Sequence, residues 1–180
     1  TFLPHGIYLV ISQADAHRHG LEETVIAAVK GGVSMVQLRE KKAPTSQVME
    51  LAHSLRLMLE GKNIPLIIND RLDVAKKCAA DGVHLGQSDF DPADARELLG
   101  PNAIIGLTVN NLSQLEAGNF KPADYLSCGA VFPTDTKKDT HNLWGIDGLR
   151  QARALTSKPL FGIGGINSSN AAEVAQTGID

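Results

Sequence analysis

A parallel α/β sheet is the fold class the sequence predicts, and three observations predict it. Short β-branched and apolar runs alternate with longer segments of helical period, about seven times at a spacing of roughly 25 residues. The short runs are apolar on both faces, as strands are when helices cover both sides of a parallel sheet. Polar residues follow nearly every run instead of gathering at one switch point, which favours a closed (β/α)8 barrel over an open doubly wound sheet.

The first strand is read at Ile7 to Ile11. A helix over Leu21 to Lys30 follows, with Val25, Ile26 and Val29 at helical spacing and Gly31-Gly32 as its stop. Val33 to Leu38 is the second strand. Thr45 to Leu59 carries Val48, Leu51, Ala52, Leu55 and Leu59 on one helical face. Pro65 to Ile68 is the third strand, followed by a helix from Arg71 to Ala80. Strand four is Gly82 to Leu85, before a helix from Asp91 to Leu99 with Asp91 as cap and Pro92 in the first turn. Strand five is Ala103 to Leu107, with Leu112 to Ala117 helical after it. Strand six is Tyr125 to Val131, and after a polar loop Ile146 to Leu155 is helical. Strand seven is Pro159 to Ile163, and a last helix spans Ser169 to Gln176. Eight-fold closure needs one more strand, which would begin at Gly178-Ile179-Asp180. Residues 1–180 therefore read as one barrel domain lacking its last β/α unit.

Composition excludes several function classes. The 180 residues are 43% hydrophobic and 21% charged, within the globular range and outside that of disordered or fibrous chains. A net charge of -3 with 4% aromatics lacks the basic field and stacking surface of a nucleic-acid binder. No apolar run reaches membrane-span length, and Thr1 to Tyr8 has no signal-peptide pattern, so a cytoplasmic protein is expected. Cys78 and Cys128 have no second Cys nearby and read as small buried residues. The six histidines show no metal spacing, which argues against zinc. His84, inside strand four, reads as a core residue or pocket wall.

Chemistry is concentrated where strands end. Strand two runs into Gln37-Leu38-Arg39-Glu40-Lys41-Lys42, where Arg39 and Lys41 offer an anion two cations; the competing reading is a solvated loop with a salt bridge to Glu40. Asp70 follows strand three and Asp89 follows strand four. Alone, each carboxylate reads as a helix cap worth about 1 kcal/mol. Paired on neighbouring strand ends beside Arg39 and Lys41, they read as a magnesium site, because magnesium takes few carboxylates and keeps positions for water and phosphate oxygens. Strand six leads into Phe132-Pro133-Thr134-Asp135-Thr136-Lys137-Lys138, which reads as a phosphate clamp or mobile lid; the competing reading is a flexible surface loop. Strand seven leads into Gly164-Gly165, where backbone N–H groups can approach an anion.

Gln37-Leu38-Arg39-Glu40-Lys41, Ile68-Asn69-Asp70-Arg71, Gly82-Val83-His84-Leu85-Gly86-Gln87 with Asp89, Phe132-Pro133-Thr134 with Thr136-Lys137, and Gly162-Ile163-Gly164-Gly165-Ile166 together resemble the thiamine-phosphate synthase family. The resemblance covers nearly the whole chain in order. It implies a (β/α)8 barrel that transfers a hydroxymethylpyrimidine group from its diphosphate to a thiazole phosphate, releasing diphosphate, with magnesium as cofactor. By the same resemblance, Asp70 and Asp89 hold the magnesium, and Arg39, Lys41, Asn69, Lys137 and Thr108 grip the diphosphate. Gln37 meets the pyrimidine, and Thr134, Thr136 and the Gly165 backbone bind the thiazole phosphate. The partners are these small molecules, with no nucleic acid or membrane; assembly into a homo-oligomer is left open. Where the family usually has Ser and then His two residues later, this chain has Thr108 and Asn110. Thr108 keeps the hydroxyl. Asn110 lacks acid–base chemistry, which weakens the alternative of a related thiazole tautomerase and feeds that of a non-catalytic phosphate sensor.

Overall fold

The apolar, β-branched runs form strands that pair in parallel, each followed by a helix. The structure, a computed structural model, describes residues 5–17, 19–118, 120–134 and 143–180. It divides into two units, Thr1–Leu85 with Asp89–Ile105, and Gly86–Ser88 with Gly106–Asp180.

In the first unit, β1 (Ile7–Ile11), β2 (Val33–Leu38), β3 (Leu66–Asn69) and β4 (Gly82–Leu85) pair in chain order. Their helices are α1 (Leu21–Lys30), α2 (Thr45–Leu59), α3 (Leu72–Lys77) and α4 (Pro92–Leu99). The register matches Val10 with Gln37, Gln37 with Ile67, Ile67 with Gly82 and Asn69 with His84. Side chains alternate along a strand, so Tyr8, Gln37, Asn69 and His84 share one face. Of these, Gln37, Asn69 and His84 are buried. The opposite face is apolar; Val36, Leu38, Leu66, Ile68 and Val83 are closed to solvent and meet helices whose buried stripes include Val48, Ala52 and Leu55. The expected α4 cap is present: Asp91 Oδ1 accepts the Ala93 N–H at 2.7 Å, with Pro92 opening the helix.

The second unit holds the rest of β5 (Ile104–Val109), then α5 (Leu112–Glu116), β6 (Tyr125–Gly129), α6 (Gly145–Leu155), β7 (Leu160–Ile163) and α7 (Ala171–Ala175). β6 pairs in parallel with β5 and with β7. Thr108, read as the first residue after strand five, lies within β5, opposite Ser127. Asn111 Oδ1 accepts the Gln114 N–H and Gln114 Oε1 accepts the Asn110 N–H, so the β5–α5 turn is closed from both sides. Cys128 is fully buried, and desolvation pushes its thiol pKa up to about 12, the inert core role expected.

Strand starts are tied by carboxylates. In the first unit, Asp81 Oδ2 accepts the Leu66 N–H at 2.8 Å, and the Asp81 N–H returns to the Leu66 carbonyl at 3.0 Å. In the second, Asp180 Oδ2 accepts the Leu160 N–H at 2.9 Å, and the Asp180 N–H returns to the Leu160 carbonyl at 2.9 Å. Arg153 reinforces that clamp with a 2.9 Å ion pair to Asp180 and a bond to the Lys158 carbonyl.

Candidate active site

Strand ends in the first unit assemble a charged cluster. The β1–β2 ladder continues past Leu38, the Arg39 N–H donating to the Ile11 carbonyl at 2.8 Å. Arg39 therefore leaves β2 in a fixed direction, half-buried, and its guanidinium has no partner among the described residues. The expected alternative, an ion pair with Glu40, does not form. Lys41 instead reaches Asp70, Nζ to Oδ2 at 3.4 Å.

Asp70 sits immediately beyond β3 with φ +60°, a left-handed conformation. Its N–H donates to the His84 carbonyl at 2.9 Å, and the next N–H, of Arg71, donates to the Asn69 carbonyl at 2.7 Å. Asp70 thus precedes the N-cap position, and its carboxylate interacts with Lys41 and Asp89, so it is not the cap that an isolated reading would make it. Position N-cap belongs to Arg71, and no side chain caps the helix. Asp70 and Asp89 are within hydrogen-bonding distance of each other. Burial, then the hydrogen bond to Asp89, hold the Asp70 carboxyl above the usual carboxylate range; Lys41 opposes this, and repulsion from Asp89 adds to it. Two carboxylates this close repel each other when both are charged, and Lys41 offsets that repulsion from the Asp70 side. Among the described residues no group of three or more His, Cys, Asp or Glu could hold a metal ion. A pair suits a cation that keeps most of its positions for water and phosphate, and the donor set therefore fits magnesium.

Gln37 lies deeper, on the same strand face as Asn69. It is 3% exposed, and its Nε2 donates to the Tyr8 hydroxyl at 2.5 Å. Tyr8 was missed by the sequence reading, although period-two alternation along β1 was available; the β1–β2 register that brings it to Gln37 was not.

In the second unit, the ends of β6 and β7 are laced together. The Val131 N–H donates to Ile163 and the Phe132 N–H to Gly164, both at 2.9 Å. Gly164 has φ +100° and Gly165 φ +68°. A Cβ at Gly165 would lie 2.7 Å from both Phe132 Cβ and the Pro133 carbonyl oxygen, so only glycine lets the two loops approach this closely. A Cβ at Gly164 would sit 3.5 Å from Thr134 Cγ2, which places Thr134 beside the glycine pair. Thr108 lies on β5, and its carbonyl accepts from Gln87 Nε2 at 2.6 Å. Thr136 and Lys137 lie outside the described residues.

Similarity to known proteins gives the family. The family profile described as Thiamine monophosphate synthase matches residues 7–180. A thiamine-phosphate synthase of Azorhizobium caulinodans is 47% identical over 98% of this chain and 85% of its own length. One from Vibrio campbellii is 48% identical over 88% of this chain and 78% of its own. Among solved structures, a thiamine phosphate pyrophosphorylase from Pyrococcus furiosus is 37% identical with a TM-score of 0.83, covering 96% of this chain and 81% of that one. An aldolase at 15% identity and a TM-score of 0.63 shares the fold alone. The chain thus shares its fold with a solved thiamine phosphate pyrophosphorylase, and it belongs to the thiamine monophosphate synthase family.

Proposed function

We propose that this chain is a cytoplasmic, magnesium-dependent transferase joining 4-amino-2-methyl-5-hydroxymethylpyrimidine diphosphate to a thiazole phosphate, with release of diphosphate. The observation that carries it is the carboxylate pair Asp70–Asp89, with Lys41 Nζ 3.4 Å from Asp70 and Arg39 just past the end of the adjacent strand β2. Asp70 and Asp89 would hold magnesium, which when bound supplies positive charge to the leaving diphosphate. Arg39 and Lys41 meet the same charge with fixed donors, aided by Asn69, Thr108 and Lys137. Stabilising a leaving group in this way is usually the largest contribution to catalysis. Gln37 orients the pyrimidine. Thr134, Thr136 and the Gly165 N–H hold the thiazole phosphate. The family resemblance implies that the pyrimidine methylene carbon loses diphosphate before the thiazole nitrogen bonds to it, which needs placement and exclusion of water more than a protein nucleophile. No helix among the described residues is long and apolar enough to cross a membrane.

Incubation of the chain with both precursors and magnesium is expected to yield thiamine phosphate and diphosphate in equal amounts. A folded preparation that binds a phosphorylated ligand yet forms neither product overturns the assignment. Gly165→Ala addresses the second ligand. The added Cβ must displace Phe132 or Pro133, so the Michaelis constant for the thiazole phosphate should rise at least about tenfold, with a stability loss of about 1–3 kcal/mol. The constant for the pyrimidine diphosphate should stay near its original value in steady-state kinetics.

A further inference from the structure

Glu40 stands between Arg39 and Lys41, the two cations assigned to diphosphate, where a third negative charge opposes binding of a polyanion. Its geometry explains its presence. Glu40 Oε1 accepts the backbone N–H of Gln13 at 2.5 Å, from the loop after β1. The Gln13 side chain in turn accepts from Gln47 Nε2, on the first turn of α2, at 2.6 Å. That β1 loop is also closed on itself: Asp15 Oδ2 accepts from the Ser12 N–H at 3.0 Å and from the Ser12 hydroxyl at 2.5 Å, and the Asp15 N–H donates to the Ser12 hydroxyl at 3.2 Å. Glu40 is therefore tied to a preformed turn and, through Gln13, to the helix that follows its own loop.

We infer that Glu40 is a positioning residue: by gripping Gln13 it fixes the backbone between Arg39 and Lys41, so that both cations are held ready for a magnesium-bound diphosphate. This rests on the proposed function, and the effect passes through backbone geometry; Glu40 itself touches no substrate. Long cationic side chains lose rotamer freedom when they bind, and a fixed backbone reduces what remains to be ordered.

The test is calorimetric titration of magnesium diphosphate into the wild-type chain and into Glu40→Ala, Glu40→Met and Glu40→Gln, with thermal melts of each. Glu40→Gln keeps an oxygen acceptor for Gln13 and should bind within about threefold of wild type. Glu40→Ala and Glu40→Met lose the acceptor and should bind at least about tenfold more weakly, with the affinity for the thiazole phosphate unchanged. If only charge matters, all three variants bind more tightly, and the inference is overturned. If Glu40 serves only stability, melting temperatures fall while diphosphate affinity holds, and it is again overturned. A folded wild-type chain that does not bind magnesium diphosphate removes the functional reading itself, a result distinct from the other two.

Discussion

Asp70→Asn is expected to lower magnesium-dependent turnover by at least about 10²-fold while leaving the chain folded and, without metal, more resistant to heat at neutral pH. The two halves of this result have one cause. Asp70 is pressed against Asp89 in a partly buried position, and its carboxyl is held above the usual range by burial and by that neighbour. The folded, metal-free chain thus binds a proton at Asp70 more tightly than the unfolded chain does. Stability from this group is complete below the ordinary carboxylate range and declines as pH rises through the raised value. A neutral amide removes the decline, so the melting temperature of the variant should overtake that of wild type as pH increases. Added magnesium should raise the melting temperature of wild type and leave the variant unmoved. Asn is the informative replacement because it accepts a left-handed φ with little penalty. Asp70→Ala, placed at φ +60°, should cost about 1 kcal/mol more for a reason unrelated to metal. Wild-type turnover in Asp70→Asn means that the metal assignment is wrong.

Gly82→Ala should destabilise the chain by about 3 kcal/mol or more and sharply reduce its soluble yield. An alanine Cβ at this position would lie 1.9 Å from the Ile104 carbonyl oxygen and 2.7 Å from its carbon. Both are backbone atoms, so no rotamer change can relieve the overlap. Ile104 is also fixed there, its N–H donating to the Asp81 carbonyl at 2.8 Å. β4 and the start of β5 would have to separate, breaking parallel pairing that buries Val83 and Ile105. Urea denaturation measures the loss. A variant with the wild-type midpoint and slope would mean that the two segments part without cost, contrary to the packing seen.

Much of this was legible because the physics is local. Both-face apolar runs and helical stripes mark where strands and helices lie, and Asp91-Pro92 announces a helix start by cap chemistry alone. Strand-end logic placed Asp70 and Asp89 together, since consecutive parallel strands deliver their last residues to one edge. Other features depend on partners remote in sequence. β5 runs on through Thr108 and Val109 because β6 supplies Ser127 and Cys128 to pair with them; from composition alone Thr108 looked like the first loop residue. α3 ends at Lys77, short of the expected Ala80, and Ala79 turns left-handed at φ +50°, which no side-chain type there foretells. The left-handed Asp70 and the Glu40–Gln13 bond are equally silent in sequence. One is a property of the backbone, and the other joins residues 27 positions apart.

The paired aspartates at strand starts have a practical consequence. Asp81 and Asp180 fasten the opening residues of their neighbouring strands, whereas the residues assigned to chemistry stand where strands finish. An engineer seeking heat tolerance can therefore work on one extremity of each strand, strengthening clamps such as Arg153–Asp180, without redrawing the reaction centre. Laboratory evolution for altered substrates can, by the same separation, concentrate its diversity at the other.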